Sequence, residues 1–153
     1  MHIRQLTSDE VNLHRSLRLR ALKDAPASFA ESFEELESRP MTYWETLTQS
    51  VTDPDRHVMF LACEGDVVHG CTYGLLDRSR ADGVRVGGMW VEPTQRKRGI
   101  GKALLQAVFD WGHERQRTHF GLWAPTHHKG AITLYRRSGF VETGEAKTLA
   151  NQI

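Results

Sequence analysis

A chain of 153 residues fits one domain (1–153), long enough to bury a core and too short for two comfortable ones. Its formal net charge of +1 argues against a broad nucleic-acid surface, which would carry a clear basic excess. The longest apolar run, Met59-Phe60-Leu61-Ala62-Cys63, falls far short of a membrane span, and Met1-His2-Ile3-Arg4 opens without a signal peptide's apolar stretch, so a cytoplasmic protein away from membranes is the expectation.

His2 to Leu6 alternates apolar and polar and predicts an opening strand. Ser8 or Asp9 can cap the helix that follows. Its apolar face is Val11, Leu13, Leu17, Ala21 and Leu22, with Arg15, Arg18 and Arg20 on a solvated side. Pro26 disfavours the helical region for Ala25 and ends that helix. A short acidic stretch, Phe29 to Glu37, precedes a second helix around Met41 to Gln49.

After the Asp53-Pro54-Asp55 turn, His57 to Cys63 is apolar on both alternating faces, as in a strand covered on both sides. Glu64-Gly65-Asp66 makes a hairpin and Val67 to Leu76 returns, with Gly70 and Gly74 leaving room for a close neighbour. A polar loop, Asp77 to Gly83, leads into a strand from Val84 to Val91, whose Gly87-Gly88 pair is a candidate bulge. Cys63 and Cys71 fall on neighbouring strands and could sit opposite one another; two buried thiols are expected in a reducing compartment. Two cysteines alone make no zinc framework, and His127-His128 lacks a third ligand nearby in sequence, so no metal is expected.

The stretch Val91 to Leu105 organises the rest. Pro93 cannot donate to a ladder and stops the strand, the glycines of Arg96-Lys97-Arg98-Gly99-Ile100-Gly101 permit a tight turn, and Leu104, Leu105, Val108 and Phe109 recur at helical spacing. The helix therefore begins near Gly101 and frays near Gly112 to Gln116. Its unpaired N–H groups and positive dipole end face whatever sits in front, for which phosphate is the natural occupant. Arg96, Lys97, Arg98 and Lys102 add cations there. A Walker loop fails because Ala103 follows Lys102 and Arg96 stands where the first glycine belongs. A dinucleotide fingerprint fails because Leu104 occupies its third glycine position and no acid lies near Phe120.

His119 to Ala124 predicts a strand parallel to the one before the helix, joined by a right-handed crossover. After the loop Pro125 to Lys129, a last helix carries Ala131, Ile132, Leu134 and Tyr135 on one face. Gly139 takes its left-handed terminal position and Phe140 packs back.

The turn, with Met89-Trp90-Val91-x-Pro93 before it, resembles the acyl-CoA-binding motif of the GNAT N-acetyltransferase family, Arg/Gln-x-x-Gly-x-Gly/Ala. Ala131-x-x-Leu134-Tyr135-x-x-x-Gly139-Phe140 and Asp24-Ala25-Pro26-x-x-Phe29 are also similar to family sequences, and the likeness runs over nearly the whole chain. The resemblance implies an α/β (α+β) fold: a mixed, mostly antiparallel sheet with a splayed parallel strand pair, flanked by about four helices.

It also implies acetyl-CoA as acyl donor. The backbone of Met89 and Val91 would bind the pantetheine arm, the Val91 N–H the thioester oxygen, and the backbone of Arg96 through Gly101, Lys97, Gly99 and Ile100 included, the diphosphate. Arg98 and Lys102 would add phosphate contacts. Tyr135 occupies the family's general-acid position, although helical spacing alone fits a core tyrosine equally. The acceptor, a small-molecule or peptide amine, would meet Ala25 to Glu35, with Phe29 and Glu31 as its contacts, and the loop Asp77 to Asp82.

Three departures from the family stand out. Many relatives carry a glutamate about eleven residues before the motif, where this chain has Arg85, which leaves Glu31, Glu34, Glu35 or water as a base. His128 replaces a common cofactor-contacting asparagine. Two final strands are expected, yet only Val141 to Ile153 remains, with Lys147 to Ala150 a weak candidate; either the chain is truncated or a partner, as in a homodimer, completes the sheet. The first reading is thus a metal-free N-acetyltransferase acting through a ternary complex. The rival is a catalytically silent acyl-CoA-binding sensor.

Overall fold

Residues 1–29 and 31–145 are described by the computed structural model, and they divide between two compact units, each built from separate stretches of chain. Met1–Ser8 and Gln49–Trp123 make the first; Asp9–Thr48 and the residues from Ala124 on make the second.

In the first unit five strands form one sheet in the order β1 (His2–Gln5), β2 (His57–Glu64), β3 (Val67–Leu76), β4 (Gly83–Val91) and β5 (His119–Leu122). All neighbours are antiparallel except β4 and β5. Val58 through Cys63 are buried without alternation, as the two-sided apolar pattern requires. The cysteines are not opposite one another. Cys71 pairs with Leu61 and Cys63 with Val68, and both are buried and not joined in a disulfide.

α4 (Ile100–His113) lies on one face of this sheet. Its buried stripe, Ile100, Leu104, Leu105, Val108 and Trp111, packs where β3 is thinnest: a Cβ on Gly74 would meet Val108 at 3.1 Å and Trp111 at 3.4 Å. Each such fully buried aliphatic side chain contributes roughly 1.5–3 kcal/mol. The predicted bulge is present, with the β3–β4 register shifting between Cys71 and Tyr73 and Gly88 at φ 59°.

The second unit is helical: α1 (Val11–Asp24), α2 (Phe33–Glu37), most of α3 (Met41–Val51) and α5 (Lys129–Arg137), with a 3-10 turn at Pro26–Ser28. Among the described residues five α-helices are present, in line with the expectation of about four; the short fifth forms where Ser32 caps the acidic stretch, accepting from the Glu35 N–H at 3.2 Å, and turns it into α2. Neither Ser8 nor Asp9 caps α1; its N-cap is Glu10, without a side-chain bond. Nor is Arg18 simply solvated. It bonds Glu31 at 3.2 Å and lies over the Phe29 ring at 4.7 Å. Gly139 ends α5 at φ 100°, and the Phe140 ring packs edge-on to Tyr135 at 6.0 Å. Among the described residues no strand follows α5. Lys147 to Ala150 lies outside them.

The core of this unit holds one polar surprise. His14, only 4% exposed, meets the Thr48 hydroxyl at 2.8 Å and sits edge-on to Trp44 at 6.1 Å. Burial, aided by the nearby Arg18 charge, pushes the imidazole down from 6.5 to about 4. The unfolded chain then binds the extra proton between those values, so the stability contributed by the neutral ring is present above pH ~6.5 and lost as pH falls toward ~4. We expect urea midpoints to report a loss of about 2.5 kcal/mol at pH 4.5 beyond that of the carboxylates, from a fall of this size in the pKa. His14→Gln should remove that part. An equal acid loss in the variant would contradict the assignment.

Candidate active site

The site begins where the parallel pair ends. β5 pairs with β4 only from Gly83–His119 to Val86–Leu122, while β4 continues through Val91, so the far half of β4 has an open outer edge among the described residues. Which groups point into that opening follows from the register on the other side. Gly70 is opposite Val91, and the Glu92 N–H donates to the His69 carbonyl at 2.8 Å. Gly70 and Val91 are therefore a non-hydrogen-bonded pair, and both backbone groups of Val91 face away from β3, toward the opening. The Val91 carbonyl accepts from Arg96 Nε at 2.9 Å. Its N–H is the edge donor. Met89, half-buried, lies two residues earlier beside the bulge.

Gly70 lets this corner close. A Cβ there would lie 2.8 Å from the Trp90 carbonyl and 3.3 Å from Ile100, the first residue of α4, so strand and helix start are held together across a missing side chain. Between them, Pro93–Gln95 forms a 3-10 turn. Lys97 at φ 64° and Gly99 at φ 81° are both left-handed. Such turns bring successive N–H groups to one side, forming an anion-binding nest. The first helical bond recorded at this start runs from the Ala103 N–H to Gly99 at 3.0 Å, so the N–H groups of Ile100, Gly101 and Lys102 have no intrahelical acceptor. Nest and helix start together turn several N–H groups toward one side of the loop, an arrangement suited to an anion.

The basic side chains divide their work. Arg96 is exposed but tied to Val91, and Arg98 bonds Gln95 and, at 3.1 Å, Glu64. Lys97 and Lys102 are exposed at the turn and the first helical turn. Of the two side chains expected to add phosphate contacts, Arg98 is also paired with the half-exposed Glu64, and Lys102 is exposed at the helix start.

In the second unit, Tyr135 is 8% exposed on α5, and burial raises its phenol to about 12. The hydroxyl is protonated throughout the working range. His128 is the N-cap of α5, its Nδ1 accepting from the Ala131 N–H at 3.1 Å. In the neutral ring the proton therefore sits on Nε2, which is the nitrogen able to donate. The cap was missed from sequence, although the three-residue spacing His128 to Ala131 is its signature. Phe29 is buried, and Glu31 accepts from Arg18 at 3.2 Å.

In the loop before β4, the Ser79 hydroxyl and amide hold the exposed Asp77 carboxyl below its usual range, and Arg80 does the same to Asp82. Arg85 is exposed on β4 opposite Leu75, with Val84 and Val86 buried on either side of it.

Residues 19–140 match the family model described as the acetyltransferase (GNAT) family. An uncharacterized N-acetyltransferase of Methanocaldococcus jannaschii is 41% identical over 54 residues, which cover 35% of this chain and 24% of that protein's length. An aminoglycoside acetyltransferase from an uncultured soil metagenomic sample superposes with a TM-score of 0.76 at 22% identity, over 95% of each chain. A predicted acetyltransferase with acetyl-CoA from Clostridium acetobutylicum gives a TM-score of 0.73 at 18% identity, over 97% of this chain and 94% of the other. At these identities the two structures establish the fold.

Proposed function

Since this chain belongs to the acetyltransferase (GNAT) family, we propose that residues 1–153 form one catalytic domain that transfers an acetyl group from acetyl-CoA to a primary amine by direct attack, without metal. The observation that carries the reading is the open edge of β4. It exposes the Val91 N–H just before a nest and a helix start, which is the order that an acyl thioester, its pantetheine arm and a diphosphate would need. The relative with acetyl-CoA bound supports the same donor.

In this reading Met89 and Val91 take the pantetheine arm as an added strand, and residues 96–101 hold the diphosphate. Lys102 adds charge at the helix start, and the Nε2 proton of His128 serves as a further donor contact. Val91 donates to the thioester oxygen as charge gathers on it. The amine nitrogen bonds to the acetyl carbon, the carbon–sulfur bond breaks, the nitrogen loses a proton to water, and Tyr135 protonates the departing sulfur. Without a carboxylate at Arg85, the attacking amine arrives neutral or is deprotonated through water. Phe29 and Glu31 contact the acceptor, for which the aminoglycoside acetyltransferase named above offers one class.

Incubation of the protein and acetyl-CoA with a panel of amines tests the proposal, with free thiol release and mass spectrometry as readouts. Acetylation of at least one amine with stoichiometric thiol is expected. CoA binding without turnover across aminoglycosides, polyamines, amino acids and peptide N-termini would favour the sensor reading instead.

A further inference from the structure

We infer that His69 is a positioning residue of the donor-binding loop and that its protonation tightens the hold on an anionic donor, an inference that rests on the reading above. His69 stands on β3 next to Gly70, its side chain 11% exposed. Its Nδ1 is 3.3 Å from Glu92 Oε2 and its Nε2 is 3.5 Å from Glu64 Oε1. Glu92 directly follows Val91, and its N–H bonds the His69 carbonyl at 2.8 Å. Glu64 closes β2 and also accepts from Arg98, inside the loop, at 3.1 Å. One connected line of side chains, Glu92, His69, Glu64 and Arg98, thus joins the residue after the edge donor to the middle of the loop.

The charged groups facing the ring are Glu64 from β2 and Glu92 from the turn after β4, with Arg98 acting through Glu64; Val67, Val68, Gly70 and Cys71, its neighbours on β3, carry no charge. A neutral imidazole has one N–H, so one of the two carboxylates must then face a lone pair. The imidazolium carries a proton on each nitrogen, so it donates to Glu92 and presents positive charge to Glu64. The set of four carries a net charge of −1 with the ring neutral and zero with it protonated, and the second state repels an incoming diphosphate less. Proton and donor therefore help one another, and by linkage the effect is mutual.

The test is the calorimetric Kd of 3′-dephospho-CoA between pH 8 and pH 6. That ligand is chosen because a terminal phosphate would itself take up a proton in this range. Binding should tighten about fivefold or more as pH falls, within the usual span of such couplings. In His69→Gln the slope should vanish. Should that variant fail to fold, His69→Asn, which likewise removes the ionisable ring, must also lose the slope. A wild-type affinity that is flat with pH, or a slope retained in these variants, overturns the inference alone, whereas no binding at any pH overturns the donor reading together with it. A merely structural His69 would change affinity without changing its pH dependence.

Discussion

Replacement of Tyr135 by phenylalanine is expected to lower kcat by about a hundredfold or more, the usual range for loss of a general acid, with the fold retained. Its ring packs edge-on to Phe140 in the second unit, and the substitution leaves that packing in place. Burial raises the phenol to about 12, so the group stays largely protonated across the pH range of the assay, and an alkaline fall in rate within it would not come from this hydroxyl. Steady-state rates with the best amine of the panel, measured from pH 6 to pH 10, check both points. An unchanged turnover number in Tyr135→Phe would remove the hydroxyl from the chemistry and return Tyr135 to a packing role.

The second large effect is expected at Gly99. At φ 81° a β-branched residue is strained, and a Cβ built there meets nothing within 4 Å, so Gly99→Val acts through backbone conformation and not through a clash. Left-handed backbone costs an L-residue roughly 1–2 kcal/mol, which corresponds to about a five- to thirtyfold rise in the Kd for CoA if the nest must be formed to bind. Melting temperature should move little, because Gly99 is exposed at the rim of the first unit. Equal CoA affinity in the variant would mean that the diphosphate lies elsewhere.

Much of this was legible in the residues. Unbroken apolarity from Val58 to Cys63 identified a strand buried on both faces, Gly70 and Gly74 marked where α4 approaches β3, and the spacing of Arg96, Gly99 and Gly101 located the helix start. What was hidden depended on partners distant in sequence. His14 looks like one more polar residue on an arginine-rich helix until Thr48 and Trp44 surround it. Arg98 counts as a free cation until Glu64, thirty-four positions away, takes it up. The cap made by His128 was readable in principle, but histidine is not a usual capping residue. The direction of the Val91 N–H required the β3–β4 register and the bulge within it, which no periodicity specifies.

Calorimetric titration of the wild-type protein with CoA addresses the central claim most directly. Saturable heat with one site per chain, weakened about fivefold or more in Gly99→Val, is the predicted result; no heat at millimolar CoA, or undiminished affinity in that variant, would contradict it.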